Sequence, residues 1–309
     1  MIDSCAVNLS RYRSAPATGL PAQHVLDHIP FFPQADYQCG PAALAMTLAW
    51  SGLSVTPQAM SASVYTPSKK GSIQPAMIGA ARRHGRIAYI LSGPEDLIRE
   101  IAAGHPVIVL QNLGLAWYPV WHYAVAVGYD LKSEAMLLHS GRTARKRVPL
   151  KLFHRTWARS NFWGMMTLPP KEIPATATDA GFVESVFGLE QAGQLEAALE
   201  GYRTALNRWP ANLAAGIGLA NVYYALGDFA AAERSLRATI GHVPESGAAY
   251  NNLAQVLWDQ GKGPEALKAA QTAVRLGGKG LSVYQKTLNE IQKGLGLLPS
   301  DRDRPQPGE

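Results

Sequence analysis

Apolar and polar positions alternate, or cluster in short apolar runs, through the first half of the chain. The second half carries a helical rhythm built on small residues. Val107 to Leu110 is apolar, short and rich in β-branched residues, which predicts a buried strand. His122 to Tyr129 alternates and predicts another strand. Asp130 to Glu134 then predicts a hairpin turn, with Ala135 to His139 returning. Ile87 to Leu91 and Phe162 to Leu168 are two more runs of strand length, and Val25 to Phe32 predicts a short extended entry. Helices are predicted from Gly40-Pro41 to about Ser51-Gly52, from Pro57 to Val64 under a Thr56 cap, and from Ser72 as cap to Arg83. A further helix runs from Gly93-Pro94 to Ala103, with acidic residues in its first turn and Gly104 just past its end, and another over Leu150 to Arg159. Lys69 to Ser72 reads as a loop, and Arg142 to Arg147 as a solvated basic turn leading to an edge strand, with a site for an anionic partner as the alternative. The sum is an α+β domain over residues 25–170, N-terminal helices plus an antiparallel sheet, preceded by a flexible tether over 1–24.

Beyond a linker at 171–178 the chain repeats itself. Gly193, Gly227 and Gly261 are spaced by 34 residues, as are Ala198, Ala232 and Ala266, and Pro210 and Pro244. Leu219-Ala220 and Leu253-Ala254 keep the same step. Gly at an inter-helix turn, Ala where helices touch and Pro at the repeat end is the tetratricopeptide pattern. It predicts an all-α solenoid of three repeats over 179–280, a capping helix over 281–297 and a disordered tail over 298–309.

Composition changes the picture little. The 309 residues are 47% hydrophobic and 17% charged, values of a folded chain with room for two domains. Residues 1–170 hold 16 Lys+Arg against 8 Asp+Glu, so the basic excess belongs to the front domain. It has no basic run interleaved with aromatics, so nucleic acid is not an expected partner; the charge favours solubility and mildly acidic partners. Two cysteines, Cys5 and Cys39, make no disulfide framework and both are expected free. No stretch approaches the length of an apolar membrane span.

The chemistry concentrates around one thiol. Cys39 stands where a loop becomes a helix, where the positive end of the helix dipole favours thiolate. Gln34, five residues earlier, offers an amide donor to a developing oxyanion. Of eight histidines, His24 and His28 read as tether residues, His242 falls in a repeat, and His84 and His105 at helix ends that read as surface. His122 alone opens an alternating strand directly after an aromatic loop, where a ring is held rigidly. Trp117, Tyr118 and Trp121 in that loop either pack onto the sheet or wall a substrate groove. No His/Cys pair has metal-ligand spacing, and neither metal nor cofactor is expected.

Gln34…Cys39-Gly40-Pro41-Ala42-Ala43-Leu44-Ala45, followed by Trp121-His122-Tyr123-Ala124-Val125-Ala126-Val127-Gly128-Tyr129-Asp130, resembles the papain-like cysteine peptidases that process double-glycine leaders of bacteriocins. The union with C-terminal repeats resembles a bacterial subgroup of peptidase-like proteins. The resemblance implies Cys39 as nucleophile, His122 as general base, and Gln34 with the Cys39 backbone N–H as oxyanion hole. The family's glutamine stands six residues before the cysteine; here it is five. The family's orienting aspartate, 16 to 18 residues past the histidine, is missing: those positions hold Leu138, His139 and Ser140, and Ser140 is the one candidate replacement.

The expected activity is therefore hydrolysis of peptide bonds in leader or partner polypeptides, with a protein partner on the concave face of the repeats. The missing acid and the repeats keep open a catalytically silent peptide-binding scaffold in a secretion or envelope assembly, and a different thiol chemistry such as acyl or amide transfer is the third reading. Ser4-Cys5-Ala6 and the polar tract behind it look like the start of a mature bacterial lipoprotein. Were the true start upstream, Cys5 would be a lipidated membrane tether and the protein would belong to the cell envelope; as the chain stands, the cytoplasm is expected.

Overall fold

A computed structural model describes residues 19–298; Cys5, most of the expected tether and all but the first residue of the expected tail lie outside the described residues. The chain divides into two compact units, residues 1–194 and 195–309.

The first unit is built on an antiparallel sheet. Its strands are β1 (Gln23–Val25), β4 (Ile87–Ile90), β5 (Val107–Asn112), β6 (Trp121–Asp130), β7 (Ala135–Ser140), β8 (Thr143–Pro149) and β9 (Gly164–Leu168), in the order β4-β9-β5-β6-β7-β8. β1 adds to β6 with Gln23 opposite Asp130, so Gln23 and His24 are paired residues rather than tether. The hydrogen-bonding groups at the far end of the long β6 supply the partners that make this extended segment a strand. β5 is buried along its whole length, and β6 is buried from Tyr123 to Tyr129. The apolar runs are therefore the centre of the sheet. β8 is the exposed basic edge, where strand structure begins at Thr143 within the segment expected to be a turn. An edge strand in water tolerates Arg and Lys because its side chains stay solvated, and such charges deter edge-to-edge pairing.

Helix α1 (Cys39–Trp50) is buried from Gly40 to Leu48 and packs on the sheet, β6 above all. It is apolar all round, so it can only be a core helix. α2 (Pro57–Val64) begins under the expected Thr56 cap, whose hydroxyl accepts from Ala59 N. Lys69 to Ser72 is not an open loop. β2 (Tyr65–Thr66) and β3 (Gly71–Ser72) pair around a single helical turn at Pro67–Lys69, and Lys70 takes a left-handed φ of 46°. Ser72 therefore sits in a strand and Ile73, not Ser72, precedes α3 (Gln74–Arg83). α4 (Pro94–Ala102) and α5 (Leu150–Ala158) bury Leu97, Ile98 and Ile101, and Phe153 and Trp157. α6 (Asp179–Gln191) belongs to this unit: it packs on β4, with Gly181 against the Tyr89 ring.

The second unit is a run of helices: α7 (Leu195–Arg208), α8 (Leu213–Ala225), α9 (Phe229–His242), α10 (Gly247–Asp259), α11 (Gly263–Leu276) and α12 (Leu281–Gly294). The periodic residues have physical roles. Gly193, Gly227 and Gly261 take φ of 72°, 79° and 75°, a left-handed turn that costs L side chains strain. Ala198, Ala232 and Ala266 are fully buried, where a larger side chain would push helices apart. One periodic signal is not among those read above: Thr178, Asn212 and Ser246, again 34 apart, cap α6, α8 and α10 by accepting from Gly181, Ala215 and Ala249 N.

Candidate active site

Cys39 is the first residue of α1. The chain reaches it through a tight turn in which Gln38 N donates to Ala35 O at 3.1 Å and Tyr37 takes a left-handed φ of 61°. A non-glycine residue there is strained by roughly 1 kcal/mol or more, and such strain persists only where neighbours enforce it. Gly40, just past Cys39, marks a close approach. A Cβ on it would stand 2.3 Å from Ser72 Oγ, so the start of α1 lies directly against β3.

Gln34 is latched twice to the turn after β7. Its backbone N donates to Gly141 O and its Oε1 accepts from Gly141 N, both at 2.9 Å. Its Nε2 donates to Tyr123 O at 3.2 Å. A carboxamide nitrogen has two hydrogens, so one remains for a substrate oxygen. His122, the second residue of β6, is the neighbour of that same Tyr123. Its Nε2 meets Ser140 Oγ at 2.9 Å, and its Nδ1 makes no hydrogen bond among the described residues. The Tyr123, Gly40 and Cys39 backbone N–H groups favour the anionic form of the Cys39 sulfur. Gln34, Cys39, His122 and Tyr123 thus line one open cleft of about 1460 Å³.

Electrostatics run against the expectation of a thiolate. Burial pushes the Cys39 thiol up, outweighing the backbone N–H groups that favour the anion. Burial, then the charge of Lys146, holds the His122 imidazole down at about 4. Both groups are neutral at pH 7, which leaves the imidazole free to accept a proton. The depressed imidazole has a measurable consequence. Unfolded, it takes its proton near 6.5; folded, near 4. Between those values the unfolded chain binds more protons, so stability is intact above about pH 6.5 and falls as pH drops toward 4, by up to about 3 kcal/mol. Urea titrations of wild type and His122→Gln at pH 7 and pH 4.5 check this: the acid loss should be smaller in the variant. His139, whose value burial also lowers, contributes in the same direction.

Asp130, the acid nearest His122 in sequence among the residues following it, is spent elsewhere. It accepts from Lys132 N, Ser133 N, Ser133 Oγ and Arg147, and these bonds hold it at about 2. Of the three aromatics, Tyr118 and Trp121 line the cleft. Trp117 does not; it is 81% exposed and packs its ring against Tyr118 at 6.1 Å. Asn112 shapes this loop, its Oδ1 accepting from Gly114 N and Val120 N at 2.9 and 3.0 Å. Lys69, Lys70, Tyr37, Ser72 and Arg142 also line the cleft and were absent from the expected site. No sequence spacing marks them, because they arrive through β2, β3 and two turns. Among the described residues no group of three or more His, Cys, Asp or Glu is arranged to hold a metal, and no helix is long and apolar enough to cross a membrane. In the second unit a smaller groove of about 200 Å³ is lined by Asn221, Tyr224, Asn251, Asn252 and Gln255 among others.

Comparison with known proteins agrees with this architecture. Residues 26–165 match the Peptidase_C39 like family, and residues 189–243 and 217–280 match tetratricopeptide repeat families. The chain thus carries a Peptidase_C39-like domain joined to tetratricopeptide repeats. Similar solved structures include a C39-like peptidase from Bacillus anthracis (TM-score 0.42, 18% identity, covering 47% of this chain and 97% of that one). The peptidase domain of Streptococcus ComA, a bifunctional ABC transporter, gives TM-score 0.39 and 20% identity, over 46% and 99% of the two chains. The first TPR of RPAP3 bound to an HSP90 peptide gives 0.35 and 19%, over 38% and 93%. No curated protein matches the chain.

Proposed function

We propose that the front domain is a cysteine peptidase and that the repeats recruit its protein substrate or partner. The observation that carries this is the convergence of Gln34, Cys39 and His122, distant in sequence, on one cleft. In the reading proposed, Cys39 Sγ attacks the scissile carbonyl carbon while its proton passes to His122 Nδ1, the ring nitrogen not engaged by Ser140. The second Nε2 hydrogen of Gln34 and the backbone N–H of Cys39 take the negative charge on the oxygen. The imidazolium then protonates the departing amine, leaving a thioester. Water, deprotonated by His122, releases the acid and restores the thiol. Ser140 holds the ring in the orientation an acid would otherwise set, without stabilising the imidazolium by charge. In the repeats, the amide-lined groove suits hydrogen bonding to an extended partner's main chain.

A second reading keeps the same cleft as a peptide-binding groove without turnover; the neutral partner at Ser140 and the raised Cys39 thiol favour it. Iodoacetamide alkylation of a Cys5→Ala background tests the chemistry. Cys39 should react, at a rate that climbs tenfold per pH unit through neutrality and levels off only above the ordinary thiol range, because burial raises its pKa. Loss of His122 should leave that pH profile in place, because an imidazole that is neutral at pH 7 adds no charge to favour the thiolate. A Cys39 inert at every pH in the folded chain would leave only the binding role.

A further inference from the structure

Charge around the cleft is one-sided. Lys69, Lys70, Arg142 and Arg159 line it, against one acid, Asp36, among its described lining residues. Arg159 is occupied, holding the carbonyls of Asn112 and Gly114. Lys69, Lys70 and Arg142 have no carboxylate within ion-pair distance among the described residues, whereas Arg145 and Arg147 on the neighbouring edge strand are paired with Asp27 and Asp130. The free cations are fixed relative to the thiol. Lys69 and Lys70 occupy the turn between β2 and β3, and Ser72 of that same hairpin lies against Gly40, next to Cys39. Arg142 follows Gly141, which Gln34 holds through two bonds. In the same lining, Tyr118 and Trp121 expose 69% and 50% of their surface. An occupant that satisfies this lining carries carboxylates beside a large apolar side chain.

We infer that the cleft selects an acidic stretch of polypeptide, with carboxylates on Lys69, Lys70 and Arg142 and an apolar or aromatic side chain against Tyr118 and Trp121. This rests on the proposal that the cleft takes a polypeptide. A groove of cations and aromatics also has the chemistry of a single-stranded nucleic-acid site. The peptide is preferred because the same cleft holds a thiol, an imidazole and a carboxamide, and those groups have no role toward a phosphate backbone. Charge complementarity of this exposed kind acts over a Debye length of about 10 Å at 0.1 M salt and is strongly screened above it.

The test uses the full chain with Cys39→Ala, so that binding is read without cleavage. Fluorescence anisotropy compares three labelled peptides of equal length that share one aromatic residue and differ in carrying Glu, Gln or Lys around it, and an oligothymidylate of similar length. The Glu peptide should bind about tenfold tighter than the Gln peptide at low salt, the Lys peptide should bind weakest, and the preference should shrink at high salt. Lys69→Glu/Lys70→Glu, a change at exposed positions whose fold circular dichroism verifies, should abolish the preference. Equal or absent binding of the three peptides overturns the inference, as does tighter binding of the oligothymidylate. Cleavage of all three peptides by the wild type with equal binding would sink the acidic preference and leave the peptidase reading standing. Glu-selective binding with no cleavage by the wild type would do the reverse.

Discussion

Cys39→Ala is expected to reduce peptide hydrolysis to background, a loss of at least about a thousandfold, with the thermal midpoint changed by only a few degrees. The side chain is small, half-buried and at the first position of α1, so its removal empties little of the core. His122→Ala should cost a similar factor, and the double variant should be no worse than either single one, because nucleophile and base act as a unit. Ser140→Ala should cost much less, about tenfold: a neutral hydroxyl orients the ring through one bond of 2.9 Å but adds no charge to an imidazolium. The ratio of these losses carries the information. A Ser140 effect as large as that of His122 would mean the hydroxyl is part of the proton path. No effect of Cys39→Ala on cleavage by the purified chain would assign that cleavage to another group. The measurement is initial rates on a quenched peptide whose cleavage the wild type supports.

The sheet was legible because buried strands have no choice of composition. β5 and β6 are apolar where two neighbours cover them; the strand expected over His122 to Tyr129 is there, but it is buried without a break from Tyr123 to Tyr129 and does not alternate between core and solvent. The repeats were legible for a related reason: a left-handed turn demands Gly at one fixed place per period, and Gly193, Gly227 and Gly261 answer it. What escaped was decided by tertiary contact. Ser72 has the sequence of a helix cap and instead pairs with Tyr65 and fills the space at Gly40. The basic side of the cleft comes from Lys69, Lys70 and Arg142, in turns that periodicity does not describe. The thiol was read from the helix dipole alone, and burial reverses the sign of its shift. His105 read as a surface residue past a helix end, yet it bonds a carboxylate in the core.

That carboxylate carries the largest stability effect expected in the molecule. Glu100 on α4 has no exposed surface. Its Oε2 accepts from Ala175 N at 3.2 Å and meets His105 Nδ1 at 2.6 Å; its Oε1 accepts from Thr176 N and Thr176 Oγ1 at 2.6 and 2.5 Å. Burial by itself would raise the carboxyl, and the bonds from His105 and Thr176 outweigh it, so the group titrates below its ordinary value. Glu100→Ala removes the acceptor and leaves four donors facing a cavity, at an expected cost of about 3–5 kcal/mol. Urea unfolding of the full chain, followed by tryptophan fluorescence of the front unit, reads that loss. The damage should be local as well. Residues 175 and 176 lie just ahead of Thr178, which caps α6, and α6 packs on β4 through Gly181 and Tyr89. Amide exchange at Ala175 and Thr176 should accelerate before the rest of the sheet opens. Because the folded carboxyl is depressed, its contribution is present above the ordinary carboxylate value and lost as pH falls through the folded one. Glu100→Gln, which keeps the shape and loses the charge, should therefore flatten that acid limb, and an unchanged limb would mean that the carboxyl is no more acidic in the folded chain than in the unfolded one.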